Sequence, residues 1–242
     1  SLVSVIVPYR NAEEYISETL ESIVAQTYSD FELICVDNGS SDTSAKIVDS
    51  LSDSLGPSIK RLSFPKAGKS LALNYAISKA SGEWIAICDA DDVWLDKKLE
   101  KQVKCISKDN DVIGTQMLYI DSNGKEIAGA PTLPTTNAEV YNSVLYKREN
   151  PVCNSSVMYR KSIHTDRVGF YDPLCAVEDY DMWSRCVFAG VKFCNIGDKL
   201  VAHRLHSNSN FNSSDKQSLH KSMVDSKNNM MQQIRTIIEC GN

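Results

Sequence analysis

Trp84-Ile85-Ala86-Ile87-Cys88-Asp89-Ala90-Asp91-Asp92 passes from an apolar run into three carboxylates within four positions. Trp, Ile and Cys suit a covered, pleated element, so the run reads as a buried strand. Its end is the difficulty. Like charges buried together repel and shift their pKa values, so this cluster needs solvent, cationic partners or a divalent metal. An Asp-x-Asp at the carboxyl end of a strand suits Mg²⁺ or Mn²⁺, hard cations that take oxygen ligands and share them with substrate phosphates. The competing reading is an acidic turn that caps the next helix.

Outward from this stretch, the first hundred residues alternate strand and helix. Residues 3–7 form a nearly continuous apolar strand that runs into Pro8. Asn11 and Glu14 have the spacing of a capping box, and Ile16, Leu20, Ile23 and Val24 then mark one helical face. Residues 31–36 read as the second strand, 37–42 as a turn and 43–51 as a helix. A weaker strand is expected over 59–64 and a helix over 71–80, with Ser81-Gly82 as its stop. Such alternation indicates a mostly parallel sheet covered on both faces, which binds ligands beyond the carboxyl ends of its strands. After about residue 110 the pattern loosens. Strands are expected over 112–119, 156–159, 192–196 and 200–204, a Pro/Thr/Ala-rich loop over 128–137 and a helix over 179–189. A Ser/Asn-rich loop over 208–214 reads as a lid, and a polar helical tail follows over 215–240 with Met223, Met230, Ile234 and Ile237 as anchors.

The 242 residues fit one large domain or two small ones, and 42% hydrophobic with 24% charged residues is ordinary globular composition. A formal net charge of -5 argues against nucleic acid as a partner. No run approaches the roughly 18 apolar residues of a membrane span, and no signal-peptide pattern is visible. The eight cysteines contain no Cys-x-x-Cys pair and several sit in apolar runs, so reduced thiols and a cytoplasmic location are expected.

Val36-Asp37-Asn38-Gly39-Ser40-Ser41-Asp42 places a carboxylate at a strand end before a Gly turn and a helix start. A dinucleotide-binding domain also puts an acid there, but needs a Gly-rich loop after its first strand. Pro8-Tyr9-Arg10-Asn11-Ala12-Glu13 contains no glycine, so that reading fails. Gly68-Lys69-Ser70 lacks the upstream glycine of a Walker-type loop.

Taken together, five segments resemble the inverting nucleotide-sugar glycosyltransferases of family 2, which have the GT-A fold. They are Val5-Ile6-Val7-Pro8-Tyr9-Arg10-Asn11, the 36–42 segment, Leu73-Asn74 after Gly68-Lys69, Cys88-Asp89-Ala90-Asp91-Asp92, and Glu178-Asp179-Tyr180-Asp181-Met182-Trp183. They occur in the family's order and cover about residues 2 to 206. The resemblance implies an α/β domain with a donor-binding half over 1–110, an acceptor-binding and catalytic-base half over 111–214, and a helical tail over 215–242.

It also implies roles. Asp37 would bond the nucleobase, with Pro8, Tyr9 and Asn11 around the same pocket, and Asp89 would contact the ribose. Asp91 would bind the Mn²⁺ or Mg²⁺ that bridges the donor's phosphates, with Lys69 near them and His206, from Arg204-Leu205-His206, reaching the metal or diphosphate. Asp92 is read as the cap of a helix beginning near Leu95. Inversion needs a carboxylate to take the proton of the acceptor hydroxyl, and the family's place for it is the Glu-Asp pair. Asp179 would be the base, Glu178 its supporting acid and Trp183 an apolar wall for the acceptor. The implied donor is a nucleoside-diphosphate sugar of the UDP type. The implied acceptor is a glycan or lipid-linked glycan of cell-surface polysaccharide synthesis, at the inner membrane face; the Met- and Ile-bearing tail is expected to pack on the domain, with peripheral membrane contact as the alternative. A non-catalytic sugar-nucleotide-binding protein on the same fold is the alternative. Two departures stand out: Asn38 replaces a frequent second Asp, and Leu73 a frequent Arg.

Overall fold

The computed structural model describes residues 1–55, 59–65, 68–147 and 149–207. The expected lid and tail helix lie outside them. Strands β1 (Val3–Tyr9), β2 (Phe31–Asp37), β3 (Ile59–Ser63) and β4 (Trp84–Ile87) alternate with helices α1 (Ile16–Val24), α2 (Ser44–Leu55) and α3 (Lys69–Lys79). Short strand β5 (Val93–Trp94) and helix α4 (Lys98–Lys104) follow. The later half holds β6 (Val112–Ile120), β7 (Glu126–Ile127), helix α5 (Asn137–Asn142), β8 (Met158–Arg160), helix α6 (Glu178–Phe188) and β9 (Phe193–Arg204).

All described strands join one sheet in the order β3-β2-β1-β4-β8-β6-β9-β5, with β7 paired to β6. The sheet is mixed. Its first four strands are parallel, β8 enters antiparallel between β4 and β6, and β6 and β9 run parallel. The two short strands expected over 192–204 are one 12-residue strand, and the register shift against β6 around Gln116 absorbs the polar Gly197-Asp198-Lys199 interruption.

Continuous apolar runs in β1 and β4 follow from burial on both faces. Ile6, Ile85 and Ile87 face a core closed by Leu73 and Ala76 of α3 and Met182 and Trp183 of α6. Val5, Val7, Trp84 and Ala86 face the opposite core with Ile16, Leu20 and Ile23 of α1 and Leu99 of α4. Alternate residues of a strand point to opposite faces, so each layer removes one half of the apolar set from water.

The Asn11–Glu14 capping box does not form. Helix α1 begins at Ile16 with Tyr15 at its N-cap and no side-chain cap. Asn11 adopts a left-handed φ of 50°, which asparagine tolerates, and its Oδ1 accepts the Ser41 N–H at 2.8 Å. The side chain is committed to the loop after β2, not to its own helix.

Gly82 lies where the entry to β4 meets β1. A Cβ there would sit 2.7 Å from the Ser4 backbone nitrogen and 2.8 Å from the Leu2 carbonyl oxygen. Gly82→Ala is expected to cost about 1–3 kcal/mol, read as a lower urea midpoint with unchanged m-value.

Candidate active site

The carboxyl ends of β1, β2 and β4 lie side by side because these strands are in parallel register, with Tyr9 opposite Asp37. Asp37 Oδ1 accepts the Ser40 N–H at 2.9 Å, which tightens the turn after β2. Glu13 Oε2 accepts both the N–H and the hydroxyl of Thr43, lacing the loop after β1 to the start of α2. Tyr9 is buried, and burial followed by the Asp37 charge pushes its phenol pKa up. Asn38 accepts the Gly68 N–H at 3.1 Å through Oδ1 and so anchors the N-terminus of α3. Leu73 is fully buried in the core and contributes no phosphate contact.

The three acids after β4 separate into different environments. Asp89 meets Lys69 Nζ at 2.7 Å and the Asn154 amide at 3.3 Å, and its own N–H donates to Ser155 Oγ. Burial opposes its charge, but Lys69 and Asn154 outweigh that and hold its pKa below the usual value. Asp91 lies 2.9 Å from His206 Nε2. Burial, then the charges of Asp92 and Asp89, push its pKa up. Asp92 is 0% exposed. It accepts the Arg204 N–H at 2.9 Å and meets His203 Nδ1 at 3.0 Å, which corrects its reading as a helix cap. Helix α4 starts only at Lys98, with Lys97 at its N-cap. A fully desolvated carboxylate needs ionic partners, and β9 supplies them. Burial works against a charge on His203, yet Asp92 raises its pKa to about 9.

Arg204 holds this turn from behind. At 1% exposure, it donates Nε to the Asp91 carbonyl at 2.9 Å and Nη1 to the Asp121 carbonyl at 3.2 Å, and pairs with Glu18. Its guanidinium stacks 4.6 Å from the centroid of Tyr15, whose ring also lies 4.9 Å from that of His206.

The Glu178–Asp179 pair opens α6 at the other side of the same site. Lys69 Nζ reaches Glu178 Oε1 at 3.1 Å while it holds Asp89. Burial works against the Lys69 ammonium, but Asp89 and Glu178 hold its pKa well above the usual lysine value. Asp179 Oδ2 accepts the Asn150 amide at 2.7 Å and Oδ1 the Tyr180 N–H at 2.7 Å. Burial first, then Glu178, raises the Asp179 pKa to about 6. Trp183 is 0% exposed and packs edge-on against Tyr159 and Phe193. It offers no surface to a ligand and belongs to the core, which corrects its reading as an acceptor wall. Asn150, Asn154, Ser155 and Tyr15 join the site without a local sequence signal, because all four act across long stretches of chain.

The donor set around Asp91 fits a divalent cation. A carboxylate with a raised pKa beside an imidazole nitrogen offers hard and borderline donors of the kind Mn²⁺ accepts. Among the described residues no group of three His, Cys, Asp or Glu could hold a metal alone. Such ions commonly complete their shell with substrate phosphates and water.

The model of glycosyl transferase family 2 matches residues 4–167, and the chain belongs to that family. It is 36% identical over 183 residues to the UDP-Glc:alpha-D-GlcNAc-diphosphoundecaprenol beta-1,3-glucosyltransferase WfgD of Escherichia coli, covering 75% of this chain and 68% of WfgD. It is 31% identical to a glycosyltransferase of Nostoc sp., covering 86% of this chain and 66% of the relative. Among solved structures, S. aureus TarS in complex with UDP-GlcNAc superposes with a TM-score of 0.73 at 22% identity, covering 92% of this chain and 64% of the TarS chain. The fold is GT-A. The chain thus spans about two thirds of the length of these proteins.

Arg204→Met is expected to destabilise the fold by about 1–3 kcal/mol in chemical denaturation, because it removes a buried guanidinium that donates to the Asp91 and Asp121 carbonyls, while its pair with the half-exposed Glu18 adds little. Arg204→Lys should recover only part of that, since one ammonium lacks the planar fork that reaches Asp91, Asp121 and Glu18 together.

Proposed function

We propose that the chain is an inverting glycosyltransferase that moves a sugar from a nucleoside diphosphate, of the UDP type, to an acceptor hydroxyl. The observation that carries this reading is Lys69, whose single ammonium touches Asp89 on the donor side and Glu178 beside the candidate base. Two carboxylates 89 positions apart in the sequence are thereby joined through one ammonium.

In this reading the nucleoside lies at the ends of β1 and β2, against Pro8, Tyr9, Asn11 and Asp37, with Asp89 at the ribose. Asp179 takes the proton of the acceptor hydroxyl as its oxygen bonds to the anomeric carbon and the bond to the diphosphate breaks. One in-line displacement inverts that carbon. Glu178 is tied up in its ion pair with Lys69, which leaves proton transfer to its neighbour. Lys69 also faces the charge that gathers on the leaving diphosphate. A divalent cation, Mn²⁺ or Mg²⁺, held by Asp91 and His206 would further offset that charge.

The acceptor is inferred to be a glycan, lipid-linked in the manner of the diphosphoundecaprenol acceptor named for WfgD, in cell-surface polysaccharide synthesis. An acceptor of that kind supports a peripheral association with the cytoplasmic face of a membrane, which we infer with it. No helix of the described residues is long and apolar enough to cross one.

Asp179→Asn is expected to lower transfer by roughly 10²–10⁴-fold while calorimetric binding of UDP-glucose or UDP-GlcNAc persists. Transfer that survives the change removes Asp179 as the base. Asp91→Asn should instead weaken donor binding in Mn²⁺ by roughly 10–100-fold, and EDTA should do the same to the wild type. Because the base acts as a carboxylate, the rate should rise with pH through about 6 and level off above it. The Lys69 ammonium favours the ionised form of Asp179, so Lys69→Met should move that limb to higher pH, as read from the pH profile of kcat/KM.

A further inference from the structure

The segment between α5 and β8 carries two asparagines that do the same thing on opposite sides of the site. Asn150 Nδ2 donates to Asp179 Oδ2 at 2.7 Å, and Asn154 Nδ2 donates to Asp89 at 3.3 and 3.4 Å. A carboxylate only accepts, so each amide must turn its NH₂ toward the acid. The consequence is visible on the other amide atom. Asn150 Oδ1 and Asn154 Oδ1 are both buried and reach no hydrogen-bond partner among the described residues. Each asparagine thus gives its amide donors to an acid and turns its oxygen away from it.

The segment itself is held rigidly. Asn150 precedes Pro151, which confines its backbone to extended conformations. The Pro151 carbonyl accepts Asn195 Nδ2 at 2.9 Å, the Ser155 carbonyl accepts Trp94 Nε1 at 2.8 Å and the Ser156 carbonyl accepts Gln102 Nε2 at 2.8 Å. Ser155 Oγ accepts the Asp89 N–H, so the segment grips the acid by backbone and side chain alike. Three separate elements thus fix the backbone from which both amides project.

We propose that Asn150 is a positioning residue that holds the Asp179 carboxylate in its proton-accepting orientation, and that Asn154 does the same for Asp89, the two forming one amide clamp across the site. The role of Asn150 in turnover rests on the reading of Asp179 as base; the clamp does not. The charged groups that face Asp179 are Glu178 on its own helix, Lys69 from α3 and Asp89 after β4, with the Tyr180 N–H as the backbone donor. Glu178 and Asp89 disfavour its charge, while Lys69 and Tyr180 favour it. A hydrogen bond donated to a carboxylate favours the ionised form, so the Asn150 amide adds to the second group.

The test is a carboxyl NMR titration of ¹³C-aspartate-labelled full-length protein, with the Asp179 signal assigned by its loss in Asp179→Asn. Asn150→Ala should raise the Asp179 midpoint by about one pH unit. Asn150→Asp should raise it further, because a like charge replaces the donor. Thermal denaturation should show little loss in Asn150→Ala, since the change also removes an unsatisfied acceptor, so a global structural defect would be recognised separately. At pH 8, kcat for Asn150→Ala should fall about tenfold with donor KM unchanged. An Asp179 midpoint equal to that of the wild type in both variants overturns the clamp, whatever the activity. A shifted midpoint in a protein that turns over no nucleotide sugar supports the clamp and counts against the glycosyl-transfer reading alone.

Discussion

The constraint on which this structure turns is the neutralisation of acids in one cleft. Asp89, Asp91 and Asp92 follow β4, and Glu178 and Asp179 open α6. Left to themselves they would protonate or drive the two halves apart. Lys69 answers most directly, since its ammonium is shared between Asp89 and Glu178. Asp92 is held by His203 and the Arg204 backbone, and Asp179 by two N–H donors. Paired charges of this kind contribute little net stability, because desolvation offsets most of the attraction. Their value lies in setting Asp89 apart from Asp91 and Asp179. Asp89 is held below its usual pKa, while Asp91 and Asp179 are pushed above it.

The sheet makes that arrangement possible. Parallel strands β1, β2 and β4 end at one edge, and the loops that follow are bonded to one another through Asn11, Glu13 and Asn38. Strand β9 then returns through the sheet beside β6 and delivers His203 and Arg204 to the acids from the other side. A site assembled from strand ends and helix starts keeps its geometry because the elements beneath are packed on both faces.

The parallel half was legible from residue pattern, since β1 to β4 and their helices carry clear apolar periods. The roles of Asp92 and Trp183 were not. An Asp just ahead of a helical stretch has the local look of a cap, and only the approach of β9 reveals Arg204 and His203 as its partners. A Trp in the first turns of α6 looks available to a ligand until Tyr159 and Phe193 are seen closing over it. Asn11 shows the same limit, because its spacing to Glu14 advertised a cap while its side chain was needed in the neighbouring loop at Ser41.

From the sequence alone, then, came the alternation of strand and helix, the acids at strand ends and at the start of α6, and the family to which they belong. These are properties of residue type and short-range spacing, which local sterics and periodicity express directly. Tertiary structure decided how each acid is neutralised. That depends on groups such as Lys69, Asn150, Asn154 and Arg204, brought from remote parts of the chain to within hydrogen-bonding distance. Electrostatics in a desolvated cleft acts through space and has no period along the chain.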